Sequence, residues 1–338
     1  MTQEMRIIRL PENPDLDTLT VTHERIPQPG PGEALIRVRA TSLNYHDYLV
    51  VAGFITQKAG RVPMSDGAGE VIALGDGATG LKVGDRVMGA FFPLWLDGPP
   101  TLENNAVIAG DGADGFAAEY VTVPASSLVR MPDGWSFEEA ATLPCAGLTA
   151  WRALKHEGEL ASGDTVLLPG SGGLAVFALQ FAKALGITTI CTSSSDAKLE
   201  RLTQLGAEYA INYRNDHHWG ETAKQWTGGT GVDLVLEIGA SSTFAQSVMA
   251  CRTGGRIIVV GSTSHDAPVL PLTSVVMSHI RVQGMAVGSV SQLRELVSLV
   301  EMHSLRPIID RTFPIEELGE AFRYQLTGQH LGKIAVTI

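Results

Sequence analysis

A glycine-rich turn lies between an apolar strand and an apolar helix near the middle of the chain. It reads Gly-x-Gly-x-x-Ala over residues 170–175. The first glycine permits a tight turn, the second lets the backbone approach a pyrophosphate, and the small Ala175 allows the helix to pack closely against the strand. The N–H groups and the positive dipole end of that helix attract the anion. The predicted phosphate contacts are Gly170, Ser171, Gly172, Gly173 and Leu174.

The next strand along the chain lacks the acidic residue that binds the ribose hydroxyls in an NAD site. Three serines follow its Thr192, and the first carboxylate is that of Asp196. Without that acid there is room for a 2′-phosphate, to which serine hydroxyls and a lysine can donate. The pattern favours NADPH over NADH, although the same serines would equally cap the next helix. The predicted contacts of the 2′-phosphate are Ser193, Ser194, Lys198 and Tyr213.

Two kinds of secondary-structure pattern along the chain must position these residues. Short strands alternate with helices over residues 141–280, which predicts a doubly wound parallel sheet of the Rossmann type. Its first helix begins at the glycine-rich turn and ends at Gly186, and a later helix is expected over residues 242–255. Residues 1–140 are rich in short strands and turns, and residues 281–338 are expected to complete that β-rich domain. The fold class is therefore α/β, with two domains.

Composition excludes several classes of function. The chain has 338 residues and a net charge of −11, from 25 basic and 36 acidic side chains. Such an acidic surface disfavours nucleic acid and anionic membranes as partners. No apolar run approaches the length of a transmembrane helix, and the N-terminus lacks the apolar core of a signal peptide. Three widely spaced cysteines support no disulfide framework, so we expect a cytoplasmic protein.

These motifs, in this order, resemble the medium-chain dehydrogenase/reductase superfamily along essentially the whole chain. Further landmarks are PGPGEALIRVRATSLNYHDYLV, SDGAGEVIALG, GLKVGDRVMG, GFAAEYVTVP, EEAATLPCAGLTAW and GKIAVTI. The resemblance implies a split GroES-like domain, a Rossmann coenzyme domain, an active site in the cleft between them, and a homodimer.

The superfamily contains zinc-dependent alcohol dehydrogenases and zinc-free quinone or enone reductases. By resemblance, the three ligands of a catalytic zinc would fall at Asn44, Ser65 and Cys145, of which only the cysteine is a good ligand. The segment that carries four structural cysteines in zinc members corresponds to residues 93–115 and contains no cysteine. The chain therefore resembles the quinone oxidoreductase-like branch, and we expect no metal. Cys145 is then expected to be a small buried residue near the nicotinamide.

The same resemblance implies further contacts with the coenzyme. It places Asn44 and Thr149 near the nicotinamide, and it assigns backbone contacts to the glycines that follow the fourth and fifth strands. Lys198 and Tyr213 match positions that hold the 2′-phosphate in NADPH-specific members. The implied contacts beyond the phosphate turn are Asn44, Thr149, Gly239, Gly261, Ser262, Gly288 and Lys333.

Without a metal, reducing a C=C bond beside a carbonyl, or a quinone, is less demanding than reducing a ketone. Hydrogen-bond donors hold the enolate oxygen, and an acid or water protonates the carbon. The candidate donors are Tyr45, His46 and Tyr48. His46 suits either a proton relay or a hydrogen-bonded structural role, whereas the two tyrosines suit a pocket wall or the core. The aromatic segment 91–100 would border a pocket for a small hydrophobic carbonyl substrate, or would pack beneath a long loop.

Overall fold

Two compact units make up the chain in the computed structural model, which describes residues 4–239, 241, 243–261 and 270–338. The first unit comprises Met1–Leu148 and Val287–Ile338, and the second comprises Thr149–Ala286. The chain thus leaves the first unit, builds the second and returns. The structure places the two domain boundaries after residues 148 and 286, whereas the sequence analysis placed them after residues 140 and 280.

Both units are built on β-sheets. The strands are β1 (Glu4–Ile8), β2 (Val21–Arg25), β3 (Glu33–Ser42), β4 (Ala68–Leu74), β5 (Arg86–Gly89), β6 (Tyr120–Pro124), β7 (Leu128–Arg130), β8 (Thr165–Pro169), β9 (Thr188–Ser193), β10 (Tyr209–Asn212), β11 (Val232–Glu237), β12 (Cys251–Val259), β13 (Arg281–Gly284), β14 (Ile309–Pro314) and β15 (Lys333–Thr337).

Helices flank these sheets and connect their strands. They are α1 (Tyr45–Val51), α2 (Phe137–Ala141), α3 (Leu148–Arg152), α4 (Gly173–Leu185), α5 (Asp196–Leu205), α6 (Trp219–Trp226), α7 (Phe244–Ala250), α8 (Leu272–Met277), α9 (Val290–Met302) and α10 (Leu318–Leu326). Five-residue π-helical turns, Leu143–Gly147 and Ala153–Glu157, precede and follow α3.

The sheet of the first unit runs in the order β14-β15-β3-β4-β5-β7, with β6 also paired to β3. Its long central strand β3 pairs antiparallel with β4, β6 and β15. In the last of these pairings Ala335 lies opposite Ser42, so the start of β15 lies beside the segment that leaves β3. Buried aliphatic side chains such as Ile36 and Val71 form the core against this sheet, with Phe322 of α10.

The second unit contains a six-stranded, fully parallel sheet in the order β10-β9-β8-β11-β12-β13. Numbered along this unit, the order is 3-2-1-4-5-6, which is the Rossmann arrangement and confirms the predicted fold class. Helix α4 ends at Gly186, which has a φ of +71° and so takes the left-handed conformation expected of a terminating glycine.

The predicted helix over residues 242–255 is too long. In the structure α7 ends at Ala250, and β12 begins at Cys251 and continues through the strand-forming Ile257 and Ile258. Gly254 has a φ of +72°, which a helix does not contain, and consecutive glycines weaken a helix by about 1 kcal/mol each. These residues pair with β11 on one side and β13 on the other, so they form an inner strand of the parallel sheet.

None of the helices among the described residues is both long enough and apolar enough to cross a membrane.

Candidate active site and coenzyme site

The glycine-rich turn of the second unit joins the end of β8 to the start of α4. Gly170 has a φ of +87°, and its N–H donates a 2.9 Å hydrogen bond to the carbonyl of Thr192 on β9. Gly172 is the N-cap of α4, and no side chain caps the helix there. The first-turn N–H groups of α4 thus have no side-chain cap, and Ala175 is buried beneath them. A phosphate group is the ligand that such a turn fits best.

The turn lies at the switch point of the sheet. Strands β8 and β11 are neighbours, and β8 continues to β9 on one side while β11 continues to β12 on the other, so a crevice is expected at their carboxyl ends. Gly170 follows β8, Gly239 follows β11, and Gly261 follows β12, so the three predicted glycines lie at one edge. A Cβ on Gly261 would meet nothing within 4 Å, whereas one on Gly239 would collide with Thr243. Ser262 lies outside the described residues.

Glu237, at the end of β11, is a functional candidate that the sequence analysis missed. Its carboxylate is fully buried, and Oε1 accepts hydrogen bonds from the N–H of Gly239 at 2.7 Å and from Oγ1 of Thr243 at 2.5 Å. Oε2 accepts from the hydroxyl of Ser247. The side chain therefore ties the segment after β11 to α7. The sequence signal was an acidic residue at the end of an otherwise apolar parallel strand.

The predicted 2′-phosphate contacts gather at the end of β9. Ser193 is buried, and its carbonyl accepts a 3.2 Å hydrogen bond from the N–H of Tyr213. Ser195 caps α5 by accepting from the N–H of Lys198, so the capping role fell to the third serine. Ser194 and Lys198 are partly exposed, and the ring of Tyr213 is 39% exposed. The first acid, Asp196, is exposed and accepts from Asn212.

A buried polar cluster occupies the first unit around Asp66, whose side chain has no solvent exposure. Oδ2 of Asp66 accepts from the hydroxyl of Ser42 at 2.5 Å and from Nδ2 of Asn44 at 2.8 Å. Oδ1 accepts from the backbone N–H of Cys145 at 3.0 Å. Burial raises the pKa of Asp66, while the charge of Lys333 and these hydrogen bonds oppose the rise. Ser42, Asn44 and the N–H of Cys145 all donate to Asp66, as a carboxylate requires.

Lys333 supplies the positive charge of this cluster. Its ammonium is buried, lies 3.6 Å from Oδ2 of Asp66, and donates 2.6 Å hydrogen bonds to Oδ1 of Asn44 and to the carbonyl of Leu43. Nδ2 of Asn44 also lies 3.3 Å from Oγ of Ser65. Both ends of the Asn44 amide are therefore engaged by protein groups, although the resemblance assigned Asn44 and Lys333 to the coenzyme.

Asp47 lies next to this cluster and organises the start of α1. Its carboxylate accepts from the N–H of Asn44, which closes a capping box, and from the N–H of Ser65 at 2.8 Å. These backbone partners satisfy the buried carboxylate. Burial raises the pKa of Asp47 to about 6, and the charge of Asp66 adds to the rise.

The three predicted proton donors lie on the first turns of α1 and differ in their surroundings. The ring of Tyr48 contacts those of Phe54 and Phe322, and its side chain packs against the core. Tyr45 is partly exposed and contacts Tyr48. His46 is partly exposed, and Phe91 meets its ring edge-on.

The aromatic side chains of the segment after β5 are buried. Phe91, Phe92 and Trp95 are at most 4% exposed, and the indole N–H of Trp95 donates to the carbonyl of Gly98. These rings therefore pack beneath the following loop, which was one of the two roles considered for them. Leu94 and Leu96 reach solvent, at 48% and 44% exposure, and residues 97–100 are exposed as well.

The remaining predicted contacts are buried backbone positions. Thr149 of α3 is 3% exposed. Gly288 precedes Ser289, the N-cap of α9, and a Cβ there would collide with Gln292 and Leu148. Packing therefore restricts this position, and its contact with the coenzyme stays a prediction.

No group of three or more His, Cys, Asp or Glu side chains in the described part of the chain is arranged to hold a metal ion. Cys145 is partly exposed, and burial together with the charge of Asp66 raises the pKa of its thiol well above the ordinary value.

Comparison with known proteins agrees with this architecture. The model of the alcohol dehydrogenase GroES-like domain matches residues 30–133, and that of the zinc-binding dehydrogenase matches residues 173–302. A zinc-type alcohol dehydrogenase-like protein of Schizosaccharomyces pombe is 38% identical over 331 residues, covering 95% of this chain and 96% of that protein. The chain belongs to the medium-chain dehydrogenase/reductase superfamily. It is thus an oxidoreductase of a superfamily that binds a nicotinamide coenzyme.

Other members of the superfamily carry names from two kinds of reaction. A solved NAD-dependent alcohol dehydrogenase superposes with a TM-score of 0.92 at 31% identity, covering 99% of this chain and all of the other. The acryloyl-coenzyme A reductase of Metallosphaera sedula is 27% identical and covers 92% of this chain and 94% of that protein.

Proposed function

We propose that this protein is an NADPH-dependent reductase that transfers hydride, without a metal, to a quinone or an α,β-unsaturated carbonyl compound. The observation that carries the proposal is the buried cluster of Lys333, Asp66 and Asn44. This cluster surrounds Asn44 and Ser65, which are two of the three positions at which the family resemblance expects zinc ligands.

The donor set of this cluster does not fit a zinc ion. Zinc requires thiolate, imidazole or carboxylate ligands, and a catalytic site keeps three of them with one open position. Here the amide of Asn44 is engaged by its neighbours, and Ser65 offers a hydroxyl. The ammonium of Lys333, 3.6 Å from Asp66, already neutralises the carboxylate and would repel a divalent cation.

The coenzyme proposal rests on the end of β9. A dinucleotide phosphate fits the turn at Gly170 because its backbone is left-handed and α4 has no side-chain cap. The buried hydroxyl of Ser193 stands where a carboxylate would hold ribose hydroxyls, and Lys198 lies one turn into α5. A 2′-phosphate would meet these donors, and Asp196, the first acid after β9, is engaged by the side chain of Asn212.

NADPH, when bound, supplies the hydride. The residues of the chain bind and orient the coenzyme and protonate the substrate. The glycine turn holds the pyrophosphate, while Ser193, Lys198 and Tyr213 hold the 2′-phosphate. Hydride addition to the β-carbon of an enone leaves negative charge on the carbonyl oxygen. Tyr45 stabilises this charge by donating a hydrogen bond from its hydroxyl group. His46 gives a proton to the α-carbon. The packing of Tyr48 against the core favours a structural role for this residue.

A second candidate function is a zinc-dependent alcohol dehydrogenase, which acts on an alcohol, ketone or aldehyde. The names of the Schizosaccharomyces pombe relative and of the superposed NAD-dependent enzyme favour it. Ketone reduction needs a charge on the carbonyl oxygen to be stabilised, normally by a metal. This candidate therefore requires a tightly bound zinc ion.

The test uses the full chain both as purified, with its zinc content measured, and after treatment with a chelator. NADPH consumption is followed with a panel of enones and quinones, and NADP⁺ or NAD⁺ reduction with a panel of alcohols. We expect turnover with members of the first panel only, together with less than one-tenth of a zinc ion per chain by elemental analysis, about the level of adventitious metal. Turnover confined to alcohols and lost with the metal would overturn the proposal in favour of the second candidate.

We also propose that the protein is a homodimer. Strand β13 is the edge of the parallel sheet, and all four of its residues are exposed. The preceding helix α8 exposes Leu272, Val276 and Met277 by 63% to 74%. An exposed edge strand beside apolar side chains is a typical site of pairing between chains. Light scattering should give twice the chain mass, and a monomer would contradict this proposal.

A further inference from the structure

His46 faces a carboxylate that the sequence analysis did not single out. Nε2 of His46 lies 3.4 Å from Oδ2 of Asp111, and each side chain is 23% exposed. The Nε2 atom itself is buried and makes no hydrogen bond of good geometry. The accessible surface of the imidazole therefore belongs to its other atoms. A buried ring nitrogen this close to a carboxylate needs a shift of a few tenths of an ångström to donate to it, since such bonds are about 2.7–2.9 Å long.

Asp111 is itself held in place by a second side chain. Nε2 of Gln57 donates a 2.6 Å hydrogen bond to Oδ1 of Asp111, which leaves Oδ2 toward His46. A carboxylate fixed at one oxygen can orient an imidazole with the other. The three side chains come from separate stretches of the chain, so their order depends on the folded first unit.

The backbone around Asp111 is tightly constrained. Gly110 has a φ of +81°, and a Cβ on it would lie 2.8 Å from the backbone of Met64. The N–H of Gly115 donates to the carbonyl of Val62 at 2.8 Å, which closes the segment against the same stretch of chain. Glycine is therefore required beside Asp111, because a side chain would push the segment away.

We propose that Asp111 is a positioning residue that fixes a proton on Nε2 of His46 and so leaves Nδ1 to deliver the reaction's proton. This inference rests on the proposed function, in which His46 protonates the substrate. A neutral imidazole carries one N–H, and a carboxylate beside Nε2 selects the tautomer with that N–H on Nε2. Nδ1 is then the nitrogen that gains and loses a proton.

The proton step balances as follows. In the protonated imidazole the Nδ1–H bond breaks and its electron pair stays on Nδ1. The enolate electron pair forms the new bond between that proton and the α-carbon. His46 is left neutral, with its remaining N–H directed at Asp111, and a proton from water restores it. Asp47 also interacts electrostatically with His46, and its oxygens are held by backbone N–H groups. The ring of Phe91 lies near-perpendicular to the imidazole, with the ring centres 5.5 Å apart.

The test compares Asp111→Asn with Asp111→Glu and with the matched control Asp114→Asn. Asp114 is three residues further along, half-exposed, and pairs with Arg61 instead of His46. We expect Asp111→Asn to lower kcat about 100-fold with KM changed less than about twofold, because an amide selects the wrong tautomer. Asp111→Glu should recover at least about tenfold of that loss, and Asp114→Asn should match the wild type.

The decisive readout is the pair of ¹⁵N shifts of the His46 ring, assigned by their absence in His46→Gln. The wild type should show the Nε2–H tautomer at high pH, and Asp111→Asn should lose this preference. Unchanged ring shifts in Asp111→Asn would overturn the inference. A wild type that reduces no enone or quinone, yet shows the tautomer change, would overturn the proposed function and leave the link between Asp111 and His46 standing.

Discussion

Nζ of Lys333 donates a 2.6 Å hydrogen bond to Oδ1 of Asn44, although 289 positions separate the two residues in sequence. The pairing of β15 with β3 brings them together, because it places the start of one strand beside the exit of the other. The same ammonium lies 3.6 Å from Asp66 in a region closed to solvent. The fold thus buries an ion pair and orients an amide with a single lysine.

Replacing Lys333 by methionine should destabilise the protein by about 3–5 kcal/mol, because it leaves the buried carboxylate of Asp66 without its cation. Denaturant unfolding of the full chain measures the loss. The double variant Lys333→Met/Asp66→Asn should be more stable than Lys333→Met alone by about 1–3 kcal/mol, since the uncompensated charge is gone.

Lys58→Met is the control for this experiment, because Lys58 is exposed on the same unit. It should change the free energy of unfolding by no more than about 0.5 kcal/mol. A loss below about 1 kcal/mol in Lys333→Met would mean that the cluster is not held together by charge.

Asp47 should make stability depend on pH. Its pKa is raised from an ordinary 3.8 to about 6 in the folded state, so the folded protein binds more protons than the unfolded chain between these values. Stability contributed through this group therefore falls as pH rises from about 4 to about 6 and stays low above that. Relative to Asp47→Asn, the wild type should lose stability between pH 5 and pH 8, as measured by denaturant unfolding. A difference in unfolding free energy between the wild type and Asp47→Asn that stays constant with pH would contradict the raised pKa of Asp47.

The backbone shape of the glycine-rich turn was predictable from sequence, whereas the cluster around Asp66 was not. Gly170 and Gly172 predict a local backbone shape from their own sequence. The strand order that exposes them follows from the regular alternation of strands and helices. Asp66 and Lys333 form their contacts across 267 positions (333 minus 66), through a strand register that no local pattern encodes. Asp111 was missed for the same reason, because its importance arises from a neighbour 65 positions away (111 minus 46).

Lys198→Ala should weaken binding of NADPH far more than that of NADH. A charge-assisted hydrogen bond to the 2′-phosphate contributes about 1.5–3 kcal/mol, which corresponds to roughly 10-fold to 150-fold in Kd. Fluorescence titration of the reduced coenzymes gives both constants. Lys183→Ala is the matched control, because Lys183 lies at the last turn of α4 and pairs with the carbonyl of Leu205. Equal losses for the two coenzymes in Lys198→Ala would refute the phosphate assignment.

Glu237→Gln should weaken both coenzymes alike, in contrast to Lys198→Ala. The buried carboxylate accepts from Gly239, Thr243 and Ser247, and an amide would present an N–H group to one of these donors. Leaving a buried donor unsatisfied costs about 1–3 kcal/mol, and the segment after β11 would lose its anchor to α7. We expect Kd to rise about 5-fold to 100-fold for NADPH and NADH together, with no change in their ratio. Glu221→Gln, on the exposed face of α6, is the control and should leave both constants unchanged. A Glu237→Gln variant that binds both coenzymes like the wild type would show that the segment holds its shape without this carboxylate.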